Sequence, residues 1–230
     1  MTFADKIISF NDKLEFKGQL PDNISVMNPF KENPPIKLIT SGFYKKFYDD
    51  NKLRHMILGI NPGRFGAGVT GIPFTDTKRL NEICGITVEG LQTHEPSSVF
   101  IYDVIKAYGG AKKFYSDFYI NSVCPLGFTF FNSKERNVNY NYYDSKELTN
   151  ACYKFIVQSI RSQIEFGIKR DVCYCMGTGK NYKFFMKLNE EEKFFDKIIP
   201  LEHPRYVIQY KMKSKQIYID VYLDKFKNKV

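Results

Sequence analysis

The run Met56-Ile57-Leu58-Gly59-Ile60 is followed at once by Asn61-Pro62-Gly63-Arg64-Phe65-Gly66-Ala67-Gly68-Val69-Thr70-Gly71-Ile72-Pro73-Phe74, and this junction constrains the fold more than any other stretch. A short, uninterrupted apolar run is what a strand buried on both faces requires. The four glycines and two prolines after it exclude regular structure. Such a loop begins where a parallel strand ends. In open α/β sheets the ligand crevice lies just beyond the carboxyl ends of the strands, which makes Asn61 the polar side chain placed to meet a ligand.

Other elements follow from spacing. Thr2 and Asp5 form a capping-box pattern, and Phe3, Ile7, Phe10 and Leu14 recur at helical intervals, predicting a helix to about Phe16. Residues 17–35 carry Pro21, Pro29, Pro34 and Pro35 and read as an irregular arm before a second helix ending near Tyr48. Thr75 or Asp76 caps a short helix through Cys84, and Pro96-Ser97 opens another that stops at Gly109-Gly110. Asp117 to Cys124 reads as a second strand. Asp144 or Ser145 opens a long helix with an apolar stripe of Leu148, Cys152, Phe155, Ile156 and Ile160, stopping at Gly167. Val172 to Met176 is a third strand, a helix with Phe184, Phe185 and Leu188 follows, and Lys197 to Leu201 is a fourth. Strands separated by helices imply right-handed crossovers, so the expected fold is α/β: a three-layer α/β/α sandwich with a central four-stranded parallel sheet, as one domain over residues 1–230. In the tail, Ile217, Ile219, Val221 and Leu223 alternate like a strand while Ile217 and Val221 also fit a helix; a final helix is the reading adopted.

Lys and Arg number 34 against 25 Asp and Glu, a formal net charge of +9. This favours an acidic partner, DNA, RNA or an anionic membrane, but a solvated lysine-rich surface explains it equally. Five cysteines, odd in number and mostly inside apolar runs, argue against a secreted disulfide framework. With no basic-apolar leader and no apolar run near the ~20 residues of a membrane helix, the expectation is a soluble, intracellular, cytoplasmic protein without a membrane partner. Cys173 and Cys175 share one strand face without a second spaced pair, which reads as buried structure and not as a metal site. Gly177-Thr178-Gly179-Lys180 fails as a phosphate loop, because Tyr174 and Asn181 occupy its glycine and Ser/Thr positions.

The predicted strand ends present Asn61, then Asn121 and Ser122, then Gly177-Thr178-Gly179, then His203-Pro204-Arg205. Two amides and an imidazole, with no carboxylate among them, suit recognition of a polar planar ligand and stabilisation of developing charge more than metal-assisted hydrolysis. A nucleobase is such a ligand.

These residues carry a resemblance. The sequence resembles the single-strand-selective monofunctional uracil-DNA glycosylases of the uracil-DNA glycosylase superfamily, whose first motif is G-M-N-P-G-P-F-G-M-x-Q-T-G-V-P-F. Gly59 to Phe74 matches it at Asn61, Pro62, Gly63, Phe65, Gly66, Thr70, Gly71, Pro73 and Phe74. The family's N-x-C-P-L is similar to Asn121-Ser122-Val123-Cys124-Pro125-Leu126, its His-Pro to His203-Pro204, and an upstream Asn-Pro to Asn28-Pro29. The resemblance implies a monomeric enzyme that flips uracil out of single-stranded or duplex DNA and hydrolyses its N-glycosidic bond without metal or organic cofactor. It implies Asn61 orienting water, His203 stabilising the departing base, Phe74 stacking on it, the Gly63 backbone approaching it, and Asn121 reading its polar edge. Arg64, Arg205, Tyr206 and Lys180 are the expected DNA contacts.

Three departures bear on this. Arg64 stands where the family has proline. Asn121 lies one residue farther from Cys-Pro-Leu, which in a strand turns it to the opposite face unless a bulge intervenes, so Ser122 is its rival for the base. The family's H-P-S-P-R-N is shortened to His203-Pro204-Arg205-Tyr206, leaving Arg205 or Tyr206 to fill the emptied base position. The rival function is a catalytically weak or inactive DNA-binding protein of the same fold. A nucleotide-hydrolysing enzyme lacks the expected lysine or acidic metal ligands around the glycine loop.

Overall fold

The computed structural model describes residues 1–227. Its strands are β1 (Ile24–Met27), β2 (Arg54–Gly59), β3 (Phe118–Ser122), β4 (Gly127–Phe131), β5 (Asn137–Tyr140), β6 (Ile168–Met176) and β7 (Lys197–Leu201). The central sheet has the order β3-β2-β6-β7, parallel throughout, so the expected four-stranded parallel sheet is present. Every residue of β2 and β3 is buried, the polar Arg54, His55, Asn121 and Ser122 at their ends included.

Side-chain parity in β3 assigns the two faces. Tyr119 meets Phe3 of the Phe3–Lys13 helix and Gln163 near the end of the Lys146–Ile164 helix. Phe118 turns the other way and packs on Phe226 of the Lys215–Lys227 helix, which lies beside the Pro96–Tyr108 helix. The Thr2–Asp5 capping box forms, and the tail is helical as read.

Four local readings are corrected. The arm over residues 17–35 contains β1, because Ser25 and Val26 pair in antiparallel register with Thr129 and Phe128. β4 and β5 close an antiparallel hairpin, so β1-β4-β5 make a second sheet and helices and strands do not simply alternate. A short helix, Ala111–Asp117, follows Gly109-Gly110 and brings the second parallel strand's start to Phe118. The third begins at Ile168, ahead of Val172, with Ile168 registered beside Arg54. No described helix is long and apolar enough to cross a membrane.

Candidate active site

A cleft of about 540 Å³ opens at the carboxyl ends of β2, β3 and β7, and its lining includes Asn61, Gly63, Phe74, Ser122 and His203. Arg64 and Arg205 line it as well. Five separate stretches of chain line it, and three of them lie at the carboxyl ends of the parallel strands, where the sheet topology places a ligand crevice.

Asn61 is held by the second sheet. Its Oδ1 accepts the Tyr142 backbone N–H at 3.2 Å, and its Nδ2 donates to the Tyr140 and Pro62 carbonyls, each at 3.3 Å. These bonds fix which amide atom faces which way, and they leave Oδ1 a second lone pair for a water hydrogen. Tyr142 is anchored in turn: its hydroxyl donates to Asn181 Oδ1 at 2.7 Å, and Asn181 Nδ2 donates to the Met176 carbonyl at 3.0 Å.

His203 caps the Pro204–Tyr210 helix, its Nδ1 accepting the Arg205 backbone N–H at 3.2 Å. Burial, with the Arg205 charge adding to it, lowers its pKa to about 4, so at neutral pH the ring is uncharged and carries its proton on Nε2. The Phe74 ring lies 6.0 Å from the His203 ring, centroid to centroid. Phe74 adopts a left-handed φ of 54°, a conformation that costs a phenylalanine about 1–3 kcal/mol and persists only where surrounding structure enforces it. That conformation brings its ring over Gly59, where any Cβ would come within 2.9 Å of Phe74 Cζ. Glycine at position 59 is therefore a packing requirement of the aromatic wall.

Asn121 does not line this cleft. β3 continues without a bulge against β2, so Asn121 shares the face of Tyr119. There its Nδ2 donates to Gln163 Oε1 at 2.6 Å and to the Tyr119 hydroxyl at 2.8 Å, while its Oδ1 accepts the Ser122 N–H. The neighbour Ser122 faces the cleft, opposite Gly59 in register. The strand's two-residue period turns the expected base reader into a buried structural amide and brings its rival to the site.

The basic candidates divide. Arg64 stacks on the exposed Phe65 ring at 4.3 Å, and its backbone N–H is held by Asn139 Oδ1 of β5 at 3.0 Å. Lys180 and Tyr206 line an adjoining hollow of about 420 Å³ that shares Ile60 and His203 with the main cleft. Tyr206 packs against Tyr210 on the exposed side of its helix. Cys173 and Cys175 are buried.

Sequence reasoning missed Tyr140, Tyr142 and Asn139, although the Phe128–Phe131 run, the polar turn at 132–135 and the alternation at 137–140 form a hairpin signal. It also missed Glu95, a carboxylate on the cleft wall. No spacing rule connects Glu95 to the motifs.

Comparison with known proteins gives the family. The Uracil DNA glycosylase superfamily model matches residues 45–227. The crystal structure of wild-type Pedobacter heparinus SMUG2 is 56% identical, covers 99% of this chain and 97% of its own, and superposes with a TM-score of 0.96. No curated protein matches the chain. The class so defined is a DNA glycosylase, a DNA-binding hydrolase of base excision repair. The chain belongs to the uracil-DNA glycosylase superfamily.

Proposed function

We propose that the protein is a monofunctional glycosylase that hydrolyses the bond between uracil and deoxyribose in DNA and leaves an abasic site. The observation that carries this reading is the neutral His203 beside Phe74: Nδ1 is committed to the Arg205 N–H, so Nε2–H is the atom free to donate into the cleft. The nucleotide first rotates out of the stack, at a cost of a few kcal/mol that is least in single strands and mismatches. Phe74 then stacks on the base and Ser122 bonds its polar edge.

The C1′–N1 bond breaks heterolytically, and its electron pair leaves with the base, giving an anionic uracil and an oxocarbenium-like sugar. His203 donates from Nε2 to the uracil oxygen as that charge grows, an interaction stronger in the transition state than in the ground state. Asn61 is not a base. It orients a water through the free lone pair of Oδ1, the water oxygen adds to C1′, and the released proton goes to the departing base or solvent. No lysine lines the cleft among the described residues, which agrees with hydrolysis and not with Schiff-base chemistry. Arg64, Arg205, Lys180 and Tyr206 contact the strand, and the enzyme acts as a monomer.

The test is cleavage of labelled oligonucleotides carrying one uracil, single-stranded or opposite guanine or adenine, with alkali to reveal abasic sites. Scission by the natural protein and its loss in Asn61→Ala and His203→Ala are expected. Intact DNA binding without scission of any uracil substrate would instead support the binding-only function.

A further inference from the structure

Glu95 precedes the Pro96–Tyr108 helix at its N-cap position, yet its side chain makes no capping bond. The carboxyl instead lies over Gly66 in the cleft wall, so close that a Cβ at Gly66 would sit 2.3 Å from Oε2 and 2.4 Å from Cδ. Oε2 is sealed from solvent, and no hydrogen-bond partner reaches it among the described residues. The neighbouring carboxylate is different in kind. Asp76 accepts from the Arg79 and Glu95 backbone N–H groups, the Ser98 hydroxyl and the Arg79 guanidinium, so its bonding capacity is used. A buried acceptor without a donor in the wall of a ligand cleft calls for a partner, and a ligand N–H is one that the cleft can bring.

The charges facing Glu95 are Asp76 and Arg205. Burial and Asp76 raise its pKa to about 7 while Arg205 opposes them, so about half of the group is ionised at neutral pH. An ionised carboxylate only accepts hydrogen bonds. In that form it attracts an N–H and disfavours a lone pair.

The chemistry of deamination matches that property. Uracil has an N–H at the ring nitrogen where cytosine has a lone pair, and the amide expected to read this difference, Asn121, is committed on the far side of β3. We propose that Glu95 is a specificity-determining residue that accepts a hydrogen bond from the ring N–H of the extruded base, admitting uracil and rejecting cytosine. The inference rests on the glycosylase reading above. Thymine has the same N–H, so Glu95 separates uracil from cytosine and not from thymine, which must be excluded by shape.

The experiment compares single-stranded oligonucleotides carrying uracil or N3-methyluracil, which lacks the N–H, with the natural protein, Glu95→Ala and Glu95→Leu. Failure of the natural protein on uracil would defeat the glycosylase reading itself, separately from the role of Glu95. With activity present, the natural protein is expected to favour uracil over N3-methyluracil by at least about tenfold in kcat/KM, as a site built around one donor does. Glu95→Ala should lower kcat/KM on uracil by about tenfold to hundredfold and bring the two substrates within about threefold of each other. Glu95→Leu keeps the side-chain volume and should give the same ratio if alanine weakens folding. A uracil preference unchanged in both variants, or an equal loss on both substrates, would overturn the proposal, since the carboxyl would then act on neither the base edge nor its choice.

Discussion

The Nδ1 of His203 takes the backbone N–H of Arg205 at 3.2 Å, and this one bond joins the start of a helix to the protonation state of the cleft. Burial disfavours a cation on the ring, and the Arg205 guanidinium adds like-charge repulsion. The ring is thereby kept as a neutral donor with a fixed tautomer.

The His203 ring resonances are expected to titrate near pH 4 by NMR, against an ordinary value of 6.5. Between these values the unfolded chain binds more protons than the folded one, so stability rises with pH across that window and is flat above it as far as His203 is concerned. His203→Ala should lower kcat by roughly 10²–10³, in line with the loss of one oxyanion donor. A His203 pKa near 6.5 would contradict the neutral-donor role.

Asn61→Ala should lower kcat by about 10²-fold with little change in KM, because it removes the group that orients water and not the base pocket. Tyr142→Phe cuts the hydroxyl bond to Asn181 that anchors the Asn61 partner. It should move kcat in the same direction by a smaller factor; steady-state kinetics on a uracil oligonucleotide check both.

Asn121→Ala and Ser122→Ala should separate stability from recognition. The first takes one of two donors from Gln163 Oε1, which keeps the Tyr119 hydroxyl, and leaves the Ser122 N–H without its buried partner, at a cost of about 1–3 kcal/mol seen as a lower Tm. The second removes a hydroxyl that faces the cleft and should lower kcat/KM with Tm nearly unchanged. The reverse assignment of effects would mean that Asn121 reaches the base.

Glu95→Gln should stabilise the protein at pH 8 and not at pH 4. The folded carboxyl titrates at about 7 and an unfolded one near the ordinary 4.5, so the unfolded state is favoured progressively as pH rises between these values. The shift corresponds to a difference on the order of 3 kcal/mol above pH 7, readable as a pH-dependent gap between the two melting curves.

DNA affinity should fall steeply with salt, and replacing Arg64, Arg205 or Lys180 by alanine should each reduce the slope of log K against log salt by about one if it holds a phosphate. A salt-insensitive dissociation constant would remove the electrostatic role of the basic surface.

The parallel sheet and the ends of its strands were legible because they are local properties. An apolar run stopped by glycine and proline marks a buried strand and its end within a dozen residues, and that rule places Asn61, Asn121 with its rival Ser122, and His203 at one crevice before any contact is known. The hairpin of β4 and β5 was less legible, since its strands are short and partly exposed and its antiparallel partner β1 lies in a proline-marked arm.

What the sequence determined by itself is therefore the sheet, the loop after β2 and the identity of the residues at the strand ends. Tertiary structure decided what those residues do with their atoms. Asn61 is oriented by backbone groups of Tyr140 and Tyr142, 79 and 81 residues away, and His203 owes its low pKa to the burial that packing imposes. The unbulged pairing of β2 with β3 turned Asn121 inward, and the path of the chain before Pro96 laid Glu95 across Gly66. Spacing along a chain fixes which side chains share a strand or helix face, but hydrogen-bond partners and desolvation arise only between segments that folding brings together.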